Sequence, residues 1–345
     1  MSAPLSFGML RNTARLGAAM LRQRSLPYSI NFIVTNRCNF QCVYCDAPDH
    51  AGHEMTTAEI RGAISELAAA GMARASFSGG EALLRDDAPG LMEYAKSLGL
   101  FVSLNSNAFT LEPLIERLAG CVDLVMLSLD GPEEVHDKVR RQPGSFAKVI
   151  AMLERARALG ISTTAITVIG PWNVDRIPEV LELAKRVGFW AYFQPAYRSC
   201  FDFEEGFAAS DERDTFARMA DAIDAGRALG LPLGASPAFV ERLRAGPKFG
   251  SCSDCAAGRY FGTVLPDGLV VPCHLTSGHA TYLNGREVGF ARAFREMPHP
   301  SAGPGCAISP YQESDLIFHL DPGAVLAGLR HTRPAPRAVA DSRPA

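Results

Sequence analysis

The sequence lacks an excess of charge of either sign, and it lacks long hydrophobic runs. Lysine and arginine number 34 and aspartate and glutamate number 37, which leaves a formal net charge of −3. This balance provides none of the basic field that nucleic-acid-binding domains use, so no nucleic acid is expected as a partner. No stretch approaches about 18 consecutive apolar residues, which excludes a membrane-spanning helix.

The sequence also lacks internal repeats and the layout of a signal peptide. Residues 1–27 contain four arginines and no acid, but the arginines are interspersed instead of preceding an apolar run. A cytoplasmic location is therefore expected. Apolar residues at helical spacing predict a basic amphipathic helix here, which either packs on the neighbouring domain or makes peripheral contact with a membrane.

What the sequence does have is enough apolar material for a core and an unusual set of cysteines. Of its 345 residues, 47% are hydrophobic and 21% are charged, which excludes a wholly disordered chain and is long enough for about two domains. Seven of the nine cysteines fall into clusters. In an intracellular chain this clustering indicates metal binding instead of disulfides.

Strand-like runs alternate with helical patterns between residues 30 and 195. The predicted strands are Ile30–Thr35, Arg74–Ser78, Phe101–Asn105, Leu124–Leu129, Thr163–Ile169 and Trp190–Gln194. The predicted helices lie near 57–70, 88–98, 111–119, 145–159 and 176–187. This alternation indicates a parallel sheet and fits both an open doubly wound sheet and a partial barrel. In either fold, ligands bind at the carboxyl ends of the strands.

The alternation of predicted strands and helices ends after residue 195. A long helix is predicted at 211–229 and a short one near 237–245. Alternation over 258–273, with the turn residues Pro266-Asp267-Gly268, predicts a hairpin. The tail from His331, rich in proline, arginine and alanine, is expected to be disordered.

The first cysteine cluster directly follows the first predicted strand. Cys38, Cys42 and Cys45 form a C-x3-C-x2-C pattern. Three thiolates on one short loop can each ligate one iron of a four-iron cubane, which leaves the fourth iron open to another ligand. The alternatives are a zinc site completed by His50 or His53, or plain buried cysteines.

This cluster resembles that of the radical S-adenosylmethionine (SAM) superfamily, whose pattern is C-x3-C-x-aromatic-C. Tyr44 occupies the aromatic position, and its flat face suits an adenine ring. Gly79, Gly80 and Glu81, at the end of the second predicted strand, match the family's Gly-Gly-Glu motif, which contacts the methionine amino group of SAM. Ala82 stands where the family usually has proline.

The resemblance implies further SAM contacts at later strand ends. Asn107 belongs to a segment similar to the family's Thr-Asn-Gly, with Ala108 in place of the glycine. Ser128 and Asp130 end the fourth strand, and Arg140 is the arginine of a His-Asp-x-x-Arg segment. The alternatives are turn chemistry for the first three contacts and a surface salt bridge for Arg140, which could also contact substrate.

The second cysteine cluster surrounds the predicted hairpin. Cys252 and Cys255 form C-x2-C, Cys273 follows in a C-x12-G-x4-C arrangement that includes Gly268, and Cys306 lies 33 positions further on. The residues alone fit either a zinc or an iron–sulfur site with four ligands. The spacing resembles the auxiliary-cluster domains called SPASM and Twitch, and four cysteines imply one auxiliary [4Fe-4S] cluster in a truncated, Twitch-like domain.

Two cysteines and several polar residues remain outside these clusters. Cys121 is expected to be a small core residue. Cys200 follows the sixth strand, where it is either a plain loop cysteine or a catalytic thiol that donates a hydrogen atom to a substrate radical. Position alone suggests substrate contacts or cluster neighbours for Tyr197, Asp202, Glu204, His274 and His279.

The predicted fold is a partial (β/α)6 TIM-like barrel, the radical SAM core, followed by a small α+β Twitch- or SPASM-like domain. The predicted segments are the amphipathic helix (1–27), the core (28–200), a helical linker (201–245), the auxiliary domain (246–330) and a disordered tail (331–345).

The implied function is reductive cleavage of SAM to a 5′-deoxyadenosyl radical, which abstracts a hydrogen atom from a substrate. The reductant would be a flavodoxin or a ferredoxin. Four auxiliary ligands leave no open iron for substrate, so the auxiliary cluster has either a structural role or a role in electron transfer, and electron transfer implies a net oxidation. Only about 30 residues precede the first cluster, too few for the peptide-binding extension of many relatives, so a small-molecule or lipid-like substrate is expected.

Two alternatives remain. The first is a radical SAM maturase that modifies a peptide or protein. The second, from another class, is a zinc-stabilised binding protein without enzymatic activity. A zinc protein would explain the cysteines but not Gly79, Gly80 and Glu81.

Overall fold

The structure is a computed structural model in which eight strands form one sheet. It describes residues 7–50, 52–196, 209–246, 255–273, 282–298, 306, 308–331 and 335–336. The strands are β1 (Ser29–Ile33), β2 (Arg74–Ser78), β3 (Phe101–Ser106), β4 (Leu124–Ser128), β5 (Ser162–Ile169), β6 (Trp190–Pro195), β7 (Phe261–Val264) and β8 (Val270–Val271).

The strand order distinguishes between an open doubly wound sheet and a partial barrel, the two folds that fit the alternation of strands and helices. The order is β6-β5-β4-β3-β2-β1-β7-β8, so the first six strands add in chain order, each parallel to the next. A doubly wound sheet needs a reversal of strand order, which is absent here. Because right-handed crossovers in one direction put all connecting helices on the same face, the sheet has the arrangement of a partial barrel. The predicted (β/α)6 core is confirmed.

Helices precede, connect and follow these strands. They are α1 (Phe7–Leu21), α2 (Thr57–Ala70), α3 (Ala88–Ser97), α4 (Ile115–Leu118), α5 (Glu133–Arg140), α6 (Ser145–Ala158), α7 (Ile177–Val187), α8 (Ala209–Ala228), α9 (Pro237–Ala245), α10 (Gly285–Val288), α11 (Phe290–Arg295), α12 (Ser309–Phe318) and α13 (Pro322–His331). Short 3₁₀ turns span Ala47–His50, Ala82–Leu84 and Val174–Arg176.

The main core lies between the convex face of the sheet and the helices. On β1 the residues alternate in burial, and Ile30 and Phe32 point to the helix layer. Phe32 stacks on Phe77 of β2 with ring centroids 5.8 Å apart. The opposite face of the same strands carries partly buried polar residues such as Asn31 and Ser76. The helix layer therefore supplies stability, while the concave face is left for a ligand.

Helix α2 shows how local sequence sets an element's bounds. Thr56 and Glu59 form a capping box, in which the Thr56 hydroxyl accepts from the Glu59 N–H and the Glu59 carboxylate accepts from the Thr56 N–H. The helix ends at Gly71, whose φ of 124° suits glycine. Its bounds match the predicted 57–70.

The hairpin extends the barrel sheet. Strand β7 pairs parallel with β1, with Ser29 opposite Phe261, and β8 returns antiparallel to β7. The hairpin itself is as predicted. Its pairing with β1 means that the segments predicted as core and auxiliary domain share one sheet.

Residues near both ends of the described chain are packed against the rest of the protein. The last turns of α1 bury Ala19 beside Tyr260 and Phe318. At the other end, Ala335 is buried and its carbonyl accepts a hydrogen bond from Arg157 at 3.0 Å. The rest of the predicted tail, 332–334 and 337–345, lies outside the described residues, so its disorder stays a prediction. Among the described residues, no helix is both long and apolar enough to cross a membrane.

Candidate functional site

The three clustered cysteines lie on the loop that leaves β1 at the carboxyl edge of the sheet. Cys38, Cys42 and Cys45 are each partly buried, and the Cys45 N–H donates to the Cys42 carbonyl at 3.1 Å. Burial raises the pKa of all three thiols, that of Cys45 to about 11. In the described part of the chain, no three histidine, cysteine or acidic side chains are grouped closely enough to hold one metal ion. In a cubane, by contrast, each thiolate ligates its own iron.

The two glycines of the Gly-Gly-Glu motif lie directly against the backbone of this loop. A Cβ on Gly79 would come within 2.4 Å of the Thr35 carbonyl oxygen, and one on Gly80 within 2.4 Å of the Arg37 carbonyl oxygen. The N–H groups of Gly80 and Glu81 donate to those two carbonyls, each at 2.9 Å. Only glycine permits this approach, which joins the end of β2 to the base of the cysteine loop.

Glu81 is fully buried and is surrounded by neutral donors. Its carboxylate accepts from the Leu83 N–H at 3.2 Å, the Asn107 N–H at 2.8 Å and the Ser106 hydroxyl at 3.1 Å. Among the described residues, no cationic side chain forms an ion pair with it. Burial raises the pKa of Glu81 despite these hydrogen bonds. A buried carboxylate without a counter-ion is costly, which makes this position suited to an incoming ammonium group.

Asn107 connects Glu81 to the cysteine loop. Its side-chain amide donates to the Asn39 side chain at 2.7 Å and lies 3.9 Å from Cys38 Sγ. The next residue, Ala108, has a φ of 72°. This is the left-handed region that favours glycine, which is the residue that the family pattern has there.

Asp130, Arg140 and Tyr44 form a buried network behind the loop. Asp130 Oδ2 accepts from the Tyr44 hydroxyl at 2.9 Å and from Arg140 Nε at 2.5 Å. Arg140 Nη1 also donates to Cys42 Sγ at 3.7 Å. The Arg140 side chain is 8% exposed, so the salt bridge is not on the surface. The Tyr44 ring lies near-parallel to Trp172 at 6.3 Å, so part of the surface expected to receive adenine is packed against another ring.

The other residues of the His-Asp-x-x-Arg segment have structural roles. His136 Nδ1 accepts from the Asp130 N–H at 3.0 Å, and burial lowers the pKa of His136 to about 4, which keeps the ring neutral. Asp137 accepts from the N–H groups of Gly144 and Phe146 and from the Ser145 hydroxyl, and so fixes the start of α6.

An ion network under the loop was not predicted from the sequence. Glu54 accepts from Thr35, Arg37 and Arg85, and Arg85 also makes a two-pronged pair with Asp87 at 2.7 and 2.9 Å. Burial would raise the pKa of Glu54, but these donors outweigh it and the pKa is lowered. The five side chains come from three segments of the chain without a recognisable spacing between them, so only the fold brings them together.

The remaining predicted residues have varied positions. Ser128 is half-buried at the end of β4, and its hydroxyl has no hydrogen-bond partner among the described residues. Cys121 is buried in the core, as predicted. The residues that lie outside the described ones are Tyr197, Cys200, Asp202, Glu204, Cys252, His274 and His279.

Three of the four cysteines of the second cluster are described, and all are partly buried. Cys255 precedes β7, Cys273 follows β8 and Cys306 precedes α12. Burial raises the pKa of Tyr311 on α12, and the nearby thiols of Cys273 and Cys306 raise it further. The fold thus brings these two cysteines, distant in the chain, beside one tyrosine.

The residues of the first site fit the cofactors that the resemblance implies. Three thiols on one loop provide the donor set for a [4Fe-4S] cluster with one open iron. The buried Glu81 carboxylate, which has hydrogen bonds but no counter-ion, provides a partner for the ammonium group of SAM.

Comparison with known proteins indicates the same family as the sequence motifs. A family model described as the radical SAM superfamily matches residues 32–184. An AdoMet-dependent heme synthase of Methanosarcina barkeri is 33% identical over 179 residues, 50% of this chain and 51% of the relative. A PqqA peptide cyclase of Gluconobacter oxydans is 30% identical over 259 residues, 72% of this chain and 71% of the relative. The matches span about half the length of the first curated relatives.

Solved structures show the same fold. SuiB of Streptococcus suis bound to S-adenosylmethionine aligns with a TM-score of 0.64 and 15% identity over 85% of this chain and 72% of that one. The sequence motifs, the strand order and the similarity to the peptide cyclase over most of both chains lead to one assignment. The chain belongs to the radical SAM superfamily of enzymes.

Proposed function

We propose that the protein cleaves SAM reductively and uses the resulting radical to remove a hydrogen atom from a substrate. The observation that carries this proposal is the Glu81 carboxylate. It is fully buried, it receives only neutral hydrogen-bond donors, and Asn107 connects it to the cysteine loop. A structural carboxylate at that depth would be expected to have a cationic partner within the protein.

Each part of the site has a defined task in this proposal. When bound, the cluster and SAM supply the electron transfer and the radical chemistry. Cys38, Cys42 and Cys45 hold the cluster, and Glu81 orients SAM through its ammonium group. The contacts of Gly79 and Gly80 with Thr35 fix the position of Glu81 relative to the cysteine loop. The packed sheet beneath them excludes water, which would otherwise compete for reactive species.

For the substrate, we infer a peptide or protein. The PqqA peptide cyclase matches 72% of this chain. The structures with the same fold include SuiB bound to its precursor peptide SuiA. These similarities outweigh the sequence-based expectation of a small-molecule or lipid-like substrate. That expectation remains the second candidate, because the AdoMet-dependent heme synthase is 33% identical over half of the chain.

The auxiliary [4Fe-4S] cluster belongs to the same proposal. Cys252, Cys255, Cys273 and Cys306 would ligate it, and Tyr311 lies beside two of them. With four ligands the cluster would accept an electron from the substrate radical, so the net reaction would be an oxidation. A flavodoxin or ferredoxin in the cytoplasm would supply the electron for SAM.

The test of SAM cleavage is the triple variant Cys38→Ala/Cys42→Ala/Cys45→Ala, purified without oxygen. It should lose about half of the iron and form no 5′-deoxyadenosine. The matched control is Cys121→Ala, which removes a buried thiol from another part of the core and should retain both. SAM cleavage by the triple variant would refute the proposal.

The test of substrate class is a screen of peptides and metabolites that carry deuterium at carbon. Transfer of deuterium into 5′-deoxyadenosine identifies the molecule that loses hydrogen. The peptide proposal expects transfer from a peptide. Transfer from a metabolite alone would favour the second candidate. Colourless protein that contains zinc would support the non-enzymatic alternative.

A further inference from the structure

Arg74, the first residue of β2, lies on the concave face of the sheet. Its neighbours Ala75 and Phe77 belong to the core under the helices, and since side chains alternate along a strand, Arg74 points to the opposite face. Arg74 pairs in register with Phe101 of β3, and its guanidinium carbon lies 4.5 Å from the centre of that ring. A cation is therefore held on the face that the fold leaves for a ligand.

The Arg74 side chain lies within the curve of the sheet instead of on an open surface. Solvent reaches it, yet the surrounding protein displaces enough water to lower the pKa of the guanidinium, against the opposing influence of Tyr28, Tyr192 and Asp123. Tyr192 belongs to β6, four strands away from β2 in the sheet. In a flat sheet such strands would be about 19 Å apart, so the curvature brings the two side chains together. Arg74 thus lies in the lumen, the space that the concave face encloses.

No carboxylate in the described part of the chain neutralises Arg74. Its side chain has no hydrogen bond and no ion pair with any of those residues. The carboxylate that acts on it, that of Asp123, already accepts from Lys96 Nζ at 2.6 Å and from the Val102 N–H at 2.8 Å. By contrast, the buried Arg140 has an acidic partner. A partly desolvated cation without a partner is costly, and an anionic ligand would offset that cost.

The wall between Arg74 and the proposed SAM site is polar. Asn31, Ser76 and Asn105 are partly buried on three adjacent strands, and Asn105 Nδ2 donates to Ser76 Oγ at 3.2 Å. Arg74 lies four residues before the end of β2, which places its backbone about 13 Å below the edge of the sheet that carries Glu81. A ligand that meets both ends of this wall is extended and polar, with an anionic group at its inner end.

We propose that Arg74 binds a carboxylate of the substrate and so determines which carbon faces the radical. The inference rests on the proposed function and specifies its substrate class as an acidic peptide. At about 3.3–3.6 Å per extended residue, the carboxylate lies about three or four residues from the residue that loses hydrogen. A metabolite with a carboxylate at the same separation presents the same chemistry to Arg74, and the experiment distinguishes the two sources.

The test is affinity selection from a synthetic peptide library on the anaerobic enzyme loaded with its cluster and SAM. All peptides end in an amide, and each glutamate peptide has a glutamine and a lysine counterpart of otherwise identical sequence. The wild type should retain glutamate peptides about tenfold over their glutamine counterparts, because glutamine lacks the charge-assisted contact. Arg74→Gln should retain both equally, while its SAM affinity stays within about twofold.

Two further variants make the result specific to the lumen. Arg61→Gln removes a cation that also lies over a ring, 3.8 Å from the centre of Tyr94, but on the exposed side of α2. It should keep the wild-type preference for glutamate. Arg74→Glu reverses the charge and should shift retention to the lysine peptides. A merely structural role for Arg74 would not produce this reversal.

A second arm offers the same proteins small metabolites as pairs of acid and amide. A preference for acids in this arm alone would support Arg74 as the carboxylate site and assign the carboxylate to a metabolite. No retention in either arm, equal retention of acidic and neutral ligands, or a preference that survives Arg74→Gln would overturn the inference. The proposed function is tested separately, because 5′-deoxyadenosine formation by the wild type does not depend on any of these outcomes.

Discussion

At the scale of the residue, two buried carboxylates distinguish the binding site from its scaffold. Glu81 and Asp130 are both fully buried. Asp130 has Arg140 as a counter-ion, so its charge is balanced within the protein. Glu81 has hydrogen-bond donors but no cation among the described residues. Burial alone does not distinguish the two carboxylates, whereas the missing counter-ion supports the proposed ligand contact of Glu81.

The first prediction at this scale concerns Glu81→Gln. The amide keeps the shape of the side chain but removes the charge that would hold an ammonium group. Loss of a charge-assisted contact costs about 1.5–3 kcal/mol, so SAM affinity should fall about tenfold to a hundredfold. Titration under argon measures the affinity, and the iron content should not change. Glu93→Gln, at an exposed position, is the control. Equal affinities for all three proteins would show that Glu81 does not contact SAM.

The second prediction concerns Ala108→Gly. Ala108 has a φ of 72°, which costs a residue with a Cβ about 1–2 kcal/mol, while glycine adds about 0.5–1 kcal/mol of chain entropy to the unfolded state. Ala108 is also fully buried, so glycine loses about 0.8 kcal/mol of methyl burial, and the three effects nearly cancel in guanidinium unfolding. Ala151→Gly, at an exposed position within α6, has no strain to relieve and should lose about 1 kcal/mol. A larger loss at the buried Ala108 than at Ala151 would contradict a strained Ala108.

The residues of the candidate site were predictable from the sequence where they belong to a motif with fixed spacing. Cys38, Gly79, Gly80 and Glu81 lie together at one edge of the sheet, as their positions after β1 and β2 require. Their partners were not predictable, because a contact such as that between Arg140 and Cys42 joins residues 98 positions apart. The sequence suggested a ligand contact or a surface salt bridge for Arg140, and the structure shows a buried salt bridge with Asp130; the ligand contact stays a prediction.

At the scale of the element, prediction succeeded where periodicity extends over several turns or strand residues. Helix α2 and strand β2 have the predicted bounds, and α8 starts two residues earlier than predicted. Helix α5 was missed. Its eight residues include only two valines, Val135 and Val139, which is too little for a periodic signal. The predicted helix at 111–119 is shortened to Ile115–Leu118.

A prediction at this scale concerns Glu313, which joins α12 to α9. Its carboxylate accepts from the Ser236 N–H at 2.7 Å, and burial raises its pKa to about 7. The folded state therefore holds a proton that the unfolded state releases near pH 4.5. The contribution of Glu313 to the free energy of unfolding is fully present below about pH 4.5 and is lost as the pH rises through about 7.

Glu313→Gln should remove this pH dependence. Glutamine is neutral and can still accept from Ser236, so the variant should be more stable than the wild type by about 1–3 kcal/mol at pH 8. The difference should shrink as the pH falls to 5.5. Thermal unfolding at both values measures it, with the exposed Glu93→Gln as control. A variant less stable than the wild type at pH 8 would mean that Glu313 is folded in its ionised form.

At the scale of the whole molecule, one sheet joins the two predicted metal sites. Strand β7, which follows Cys255, pairs with β1, which precedes Cys38. Helix α12 adds a second connection, since Ser309 donates to the Phe193 carbonyl of β6. Local sequence patterns predicted the hairpin but not its partner, because strand pairing across more than 200 residues leaves no periodic signal. The fold thus links the auxiliary segment to the barrel through backbone hydrogen bonds.

This linkage leads to the last prediction, on the role of the proposed auxiliary cluster. Cys273 and Cys306 lie on segments that β7, β8 and α12 also hold in place, so their replacement by alanine should leave the sheet folded. Iron should fall from about eight to about four atoms. The electron-transfer role expects 5′-deoxyadenosine still to form while the oxidised product disappears. Cys121→Ala, again the control, should retain both. If the double variant makes normal product, or if the wild-type product is an isomer of its substrate, the auxiliary cluster does not accept the substrate's electron.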